Sequence, residues 1–182
     1  VRMAKEHSKD PRVMELILKE SAQILRAQNG IIVSETKHGF VCANAGVDQS
    51  NIRGDAAVLL PVDPDRSASQ LRDAIKKKAG REAAIIITDT FGRPFRNGQT
   101  NMAIGVAGIN PIRSYIGSRD MYGRKLRVTE IAVADEMASA AELAMGKADG
   151  VPVAIVRGYK FEKAAKSSTR PLIRPKERDL FR

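Results

Sequence analysis

The stretch Ile85–Thr100, IIITDTFGRPFRNGQT, sets the tightest limit on how this chain can fold. A run of β-forming residues stops at Thr88-Asp89-Thr90, and a segment follows with Gly92, Arg93, Pro94, Arg96 and Asn97-Gly98. The pattern predicts a buried strand over 83–88 that delivers a carboxylate, at its end, into a cationic, turn-forming loop. Such a strand needs a sheet around it. IIVSET and FVCANA, joined at Lys37-His38-Gly39, read as a hairpin, and AAVLLP (56–61) as a short buried strand. MAIGVAG (102–108) reads as a second strand or buried turn, KLRVTEIAV as extended, and VPVAIVRG (151–158) as the last core strand.

Helical signals alternate with these strands. Asp10-Pro11 is an N-cap followed by a first-turn proline. Val13, Leu16, Ile17, Ile24 and Leu25 then mark an amphipathic helix that Asn29-Gly30 ends. A second helix is expected from Ser67, where Ser67–Gln70 matches a capping box, to Gly80, and an alanine-rich third over 134–146. Hairpins mixed with strand–helix–strand units predict an α+β fold, with a mixed, largely antiparallel sheet and packed helices, rather than a doubly wound one. Residues 1–160 are expected to form one main domain and 161–182 a basic, proline-punctuated tail. The chain opens at Val1 in text that already reads as mid-domain, so a preceding segment is expected.

Composition narrows the chemistry. An apolar share of 43% in 182 residues supports a genuine core. No run approaches the ~20 apolar residues a membrane-spanning helix needs, and no signal-peptide pattern opens the chain. One cysteine, Cys42, excludes an internal disulfide and fits a reducing, cytoplasmic setting. With two histidines besides, a metal here must rest on oxygen donors, which selects magnesium, manganese or calcium. A net charge of +10 suits nucleic acid, small polyanions such as nucleotides, or simple solubility. An aromatic share of 4% without tryptophan weakens a base-stacking binder.

Several residues could carry chemistry. Asp89 and Thr90 could hold a hard cation, or Asp89 could cap the next turn through the Gly92 or Arg93 amides. CANAGVDQSN (42–51) offers a second carboxylate, Asp48, beside Gln49, Ser50 and Asn51. Two carboxylates from two strand ends are what a divalent site bridging a triphosphate requires. Arg93 and Arg96 carry planar forks suited to carboxylate or phosphate, unless they belong to a solvated loop. MGKADG (145–150) could cradle phosphate through its amides and meet a guanine edge through Asp149, or be only a C-cap turn; it lacks P-loop spacing. Asp63 and Asp65 read as helix entry, Asp135 and Glu136 as first-turn acids, Cys42 as a core thiol and His38 as a hairpin tip.

Read together, FVCANAGVDQSN, LLPVDPDRSA, IIITDTFGRPFRNGQTNMAIGVAG, GSRDMYGRKLRVTEIAVADEMASAAELAMG, VPVAIVRG and IRPKERDLFR resemble the coenzyme F420-0:L-glutamate ligase (γ-glutamyl ligase) family, in order and over nearly the whole chain. The resemblance implies a GTP-dependent ligase that adds L-glutamate by γ-linkage to a deazaflavin coenzyme precursor through an acyl phosphate. It implies a homodimer that uses magnesium or manganese. Carried over, Asp48, Asp89 and Thr90 are metal ligands, Asn51 contacts the nucleotide, and Met145, Gly146, Lys147, Ala148, Asp149, Gly150 and Val151 line the GTP. Arg93 and Arg96 would hold the acceptor's phosphodiester or the glutamate carboxylates. Lys147 departs from the family, which usually has Glu or Gln there as a further metal ligand. An ammonium cannot ligate a cation, so either the coordination differs or Lys147 meets a phosphate. The family's N-terminal segment, expected ahead of Val1, supplies part of the GTP pocket. Neither a nucleic-acid nor a membrane partner is expected. The rival readings are a basic nucleic-acid or polyanion-binding module and a metal-dependent phosphohydrolase.

Overall fold

The computed structural model describes residues 2–180; Val1 and the last two residues of the expected tail, Phe181 and Arg182, lie outside that range. The chain divides into two compact units. The first runs to Asp63 and includes Thr90–Gln99; the second takes Pro64–Asp89 and everything from Thr100 onward.

In the first unit, helices α1 (Arg2–Glu6) and α2 (Pro11–Glu20) precede an antiparallel sheet of β1 (Ser21–Gln28), β2 (Ile31–Thr36) and β3 (Val41–Ala43), in the order β1-β2-β3. The Asp10 carboxylate accepts from the Arg12 amide at 2.7 Å, as an N-cap should. The Met14 and Ile17 side chains of α2 are buried with Ala4, Ile32, Ala45 and Val47. The expected hairpin is present, with its turn at Lys37–Gly39.

Helix α2 is shorter than the span expected up to Asn29-Gly30, because Ser21–Gln28 is a strand. The Ser21 hydroxyl donates to the Ile17 carbonyl at 2.6 Å and its backbone turns extended (ψ 132°), which stops the helix. The register of β1 slips against β2 between Ser21 and Gln23 and again between Ile24 and Arg26. Each bulge inserts a residue, so the inward positions fall at Ser21, Ile24 and Ala27, three apart, and imitate a helical stripe. The expected strand over 56–61 is reduced to one bridge, Asp48 to Val58, with Val58 and Leu59 exposed.

In the second unit, helix α3 spans Pro64–Ala79, three residues ahead of the predicted Ser67 start, because Pro64 occupies the first turn, where its missing N–H costs nothing. Strands β4 (Ile85–Arg93) and β5 (Arg96–Ala107) form a two-stranded hairpin whose tip belongs to the first unit. Its turn is Pro94-Phe95, and Asn97-Gly98 lies within β5. Phe95 sits there with φ 59°, the left-handed geometry the second turn position demands. Short strands β6 (Arg113–Ser114) and β7 (Glu130–Ile131) pair antiparallel and lead into α4 (Val133–Met145), one residue from the expected span.

Ala103, Val106, Ile109 and Ala134 form the core here, with Ile86, Met137, Phe161 and Leu172 against it. Gly105 is required by close approach: a Cβ there would strike the Pro64 backbone. The α+β expectation stands, but VPVAIVRG is no core strand. It joins no sheet among the described residues, and Val153 and Ile155 are 71% and 74% exposed.

Candidate active site

The acidic loop of the first unit grows from an unusual turn. Asn44, Ala45 and Gly46 have φ of 54°, 52° and 73°, so three successive residues are left-handed. That geometry is unfavourable for alanine by roughly 1–2 kcal/mol. Burial of Ala45 at 2% exposure, in the core with Ile17 and Ile32, holds it in place. The Asn44 Oδ1 is buried without a partner among the described residues. The turn throws Asp48 outward. Asp48 is exposed, its backbone bridges to Val58 (2.8 and 3.1 Å), and its carboxylate accepts from the Ser50 amide at 2.8 Å and the Ser50 hydroxyl at 2.5 Å. Asn51, exposed and left-handed at φ 57°, continues the loop.

Arg93 and Arg96 flank the hairpin turn in the same unit. Arg93 is half-buried; one guanidinium nitrogen donates to the Asn97 carbonyl at 2.8 Å. Its Nε is buried with no partner among the described residues, a donor desolvated and unsatisfied. Arg96 is exposed. Phe91, on the same strand, packs at 6.2 Å against Phe40, which fixes the hairpin near its tip.

Asp89 is half-buried and lies within β4, not at its end as the sequence suggested. The ladder with β5 carries the strand on to Arg93, because the glycine-, proline- and arginine-bearing segment folds as hairpin rather than loop. Asp89 falls in the second unit and Thr90 in the first, with Asp48.

Met145–Val151 leaves α4 through Gly146, whose φ of 63° suits a glycine C-cap and whose amide returns to the Glu142 carbonyl at 2.9 Å. The Asp149 carboxylate folds over Gly146 so closely that a side chain there would collide with it. Gly146 and Met145 are half-buried, whereas Lys147, Ala148, Asp149, Gly150 and Val151 are exposed. Asp135, in the first turn of α4, points inward and accepts from the Ala103 amide at 2.9 Å; burial pushes its carboxyl above the usual range, against that bond. Among the described residues no three His, Cys, Asp or Glu side chains gather as a ready-made metal cage. Two groups went unread in the sequence: the strained Asn44 turn, hinted at only by Asn-Ala-Gly, and the buried Arg93 Nε.

The chain is an α+β protein that presents oxygen donors and arginines on loops and on the β4–β5 hairpin. Comparison with known proteins is specific. Residues 1–158 match the family model described as F420-0:Gamma-glutamyl ligase, and the chain belongs to that family of ligases. It is 51% identical over 182 residues to the coenzyme F420:L-glutamate ligase of Methanothermobacter thermautotrophicus, covering 99% of this chain and 72% of that protein. Identity is 47% over 183 residues to the ligase of the same name from Methanocaldococcus jannaschii, covering 100% and 73%.

Proposed function

We propose that this chain ligates L-glutamate by γ-linkage to the deazaflavin coenzyme F420-0, using GTP and passing through an acyl phosphate. The observation that carries the reading is the 51% identity, over essentially the whole chain, to a protein of that name. The acceptor's carboxylate attacks the γ-phosphorus of GTP and GDP leaves; the amine of glutamate then attacks the acyl carbon and expels phosphate. In this scheme Asp48, Asp89 and Thr90 present oxygen donors, a set that suits magnesium or manganese. When bound, such an ion neutralises charge that develops on the phosphates. Neighbouring side chains on a strand face opposite ways, so Thr90 would join Asp89 through its carbonyl oxygen. Asn51 and residues 145–151 hold the nucleotide, with Lys147 directed to a phosphate.

Arg93 serves as an anion receptor together with Arg96. Its buried Nε, without a partner among the described residues, supports that role, since an acceptor phosphodiester or carboxylate would satisfy it. A homodimer fits the apolar surface left bare at Leu143, Val153 and Ile155, which a second copy would cover. No helix among the described residues is long and apolar enough to cross a membrane, and a cytoplasmic setting fits the single cysteine.

The test is Asp89→Asn, assayed for glutamate-dependent GDP release and γ-glutamyl product. Loss of both in a folded variant is expected, and wild-type turnover would remove Asp89 from the site. Nucleotide hydrolysis by the wild type that is indifferent to glutamate would favour a phosphohydrolase instead.

A further inference from the structure

The second unit contains a cleft of about 270 Å³ lined by Asn110, Ile112, Arg113, Val133 and residues 159–162. Its walls are tied together. The Asn110 amide donates to the Glu162 carbonyl at 2.9 Å, the Ala134 amide donates to the Pro111 carbonyl at 3.2 Å, and Arg113 pairs with Ile131 across β6 and β7. The cleft is therefore built by backbone, and little of it needs ordering when a ligand arrives.

Its chemistry has three parts. Ile112, Val133 and Phe161 give an apolar floor. Arg113 and Lys160 are two exposed cations, and Arg113 is braced over the Tyr115 ring at 5.1 Å. Glu162 is the one acid. The volume lies below the ~300–1,000 Å³ typical of drug-sized ligands, so the occupant is small. A molecule with two carboxylates, one ammonium and a short methylene chain matches two cations, one anion and an apolar floor.

We propose that this cleft is the site of the amino-acid substrate: a small zwitterionic dicarboxylate, L-glutamate, with its carboxylates on Arg113 and Lys160 and its ammonium on Glu162. The assignment rests on the ligase reading above. With Arg93 and Arg96 left to the acceptor's phosphodiester, the two carboxylates of glutamate fall to Arg113 and Lys160.

The test is direct binding of L-glutamate to the full chain, by calorimetry and ligand-observed NMR, with and without GDP, alongside steady-state ligation. Arg113→Gln and Lys160→Gln should each weaken L-glutamate at least tenfold and raise its KM by a similar factor, with the KM for GTP unchanged. Glu162→Gln should weaken L-glutamate yet leave glutarate, which lacks the ammonium, unaffected. All three side chains are exposed, and thermal unfolding would confirm that the variants fold. Unchanged affinity and KM in the Arg113→Gln, Lys160→Gln double variant would overturn the proposal. So would equal weakening of inorganic phosphate and L-glutamate, which marks a general anion patch, or no L-glutamate binding with or without GDP. A wild type that binds L-glutamate at this cleft but forms no γ-glutamyl product would refute the ligase reading and leave the cleft standing.

Discussion

Asp48 and Asp65 sit in similar text, each among small or turn-forming residues after an apolar run, yet the structure uses them in opposite ways. Asp48 is exposed and its carboxylate accepts from Ser50, two residues away. Asp65 lies half-buried in the first turn of α3 and accepts from the Val106 amide at 2.9 Å, the Ser168 hydroxyl at 2.9 Å and the Thr169 amide at 3.1 Å. Those donors come from 41 to 104 positions away in sequence. A carboxylate has about four acceptor sites. One whose sites are taken by distant donors is a structural joint; one exposed on a surface turn can be changed at less cost to the fold.

Substitution should separate the two. The largest effect expected is on activity: Asp48→Asn, like Asp89→Asn, should lower ligation on the order of 100-fold or more while the unfolding midpoint hardly moves. A drop in stability without loss of turnover would reverse the contrast. Asp65→Ala should do the converse. It strips acceptors from the Val106 and Thr169 amides and should cost about 2–4 kcal/mol in denaturant unfolding. Phe95→Gly relieves a left-handed residue at an exposed tip, and a gain of about 1 kcal/mol is expected in the same measurement.

The smallest effect belongs to a third aspartate. Burial raises the Asp135 pKa, so the folded state holds its proton more tightly than the unfolded chain does. Stability from the protonated form is present below the unfolded value of 3.8 and is lost as pH rises through the folded pKa. Asp135→Asn keeps an acceptor for the Ala103 amide. It should therefore match wild type near pH 3 and gain on it toward pH 7, in paired unfolding titrations.

What could be read from sequence follows from how local each signal is. α4 was legible because its alanine run and Gly146 carry both boundaries in adjacent residues, and the β2–β3 hairpin because its turn chemistry is local. β1 was not, since its two bulges exist only through pairing with β2 and shift inward residues to a helical spacing. VPVAIVRG has the composition of a core strand, but composition does not say whether a neighbouring strand is available to pair with it. For the site, residue types at Asp48, Asp89 and Arg93 were readable, whereas the isolation of Arg93 Nε depends on what packs around it.

The reach of Asp65 also bears on how this protein is made. Its carboxylate waits for a hydroxyl and an amide translated about a hundred residues later, and Leu172 closes onto the same unit's core later still. During synthesis the second unit therefore cannot complete its packing until residues 168–172 have left the ribosome, whereas the β1–β2–β3 sheet needs nothing beyond Ala43 to pair. A nascent chain stalled before Ser168 would carry a finished sheet and an open second unit, which makes premature termination more damaging to the latter.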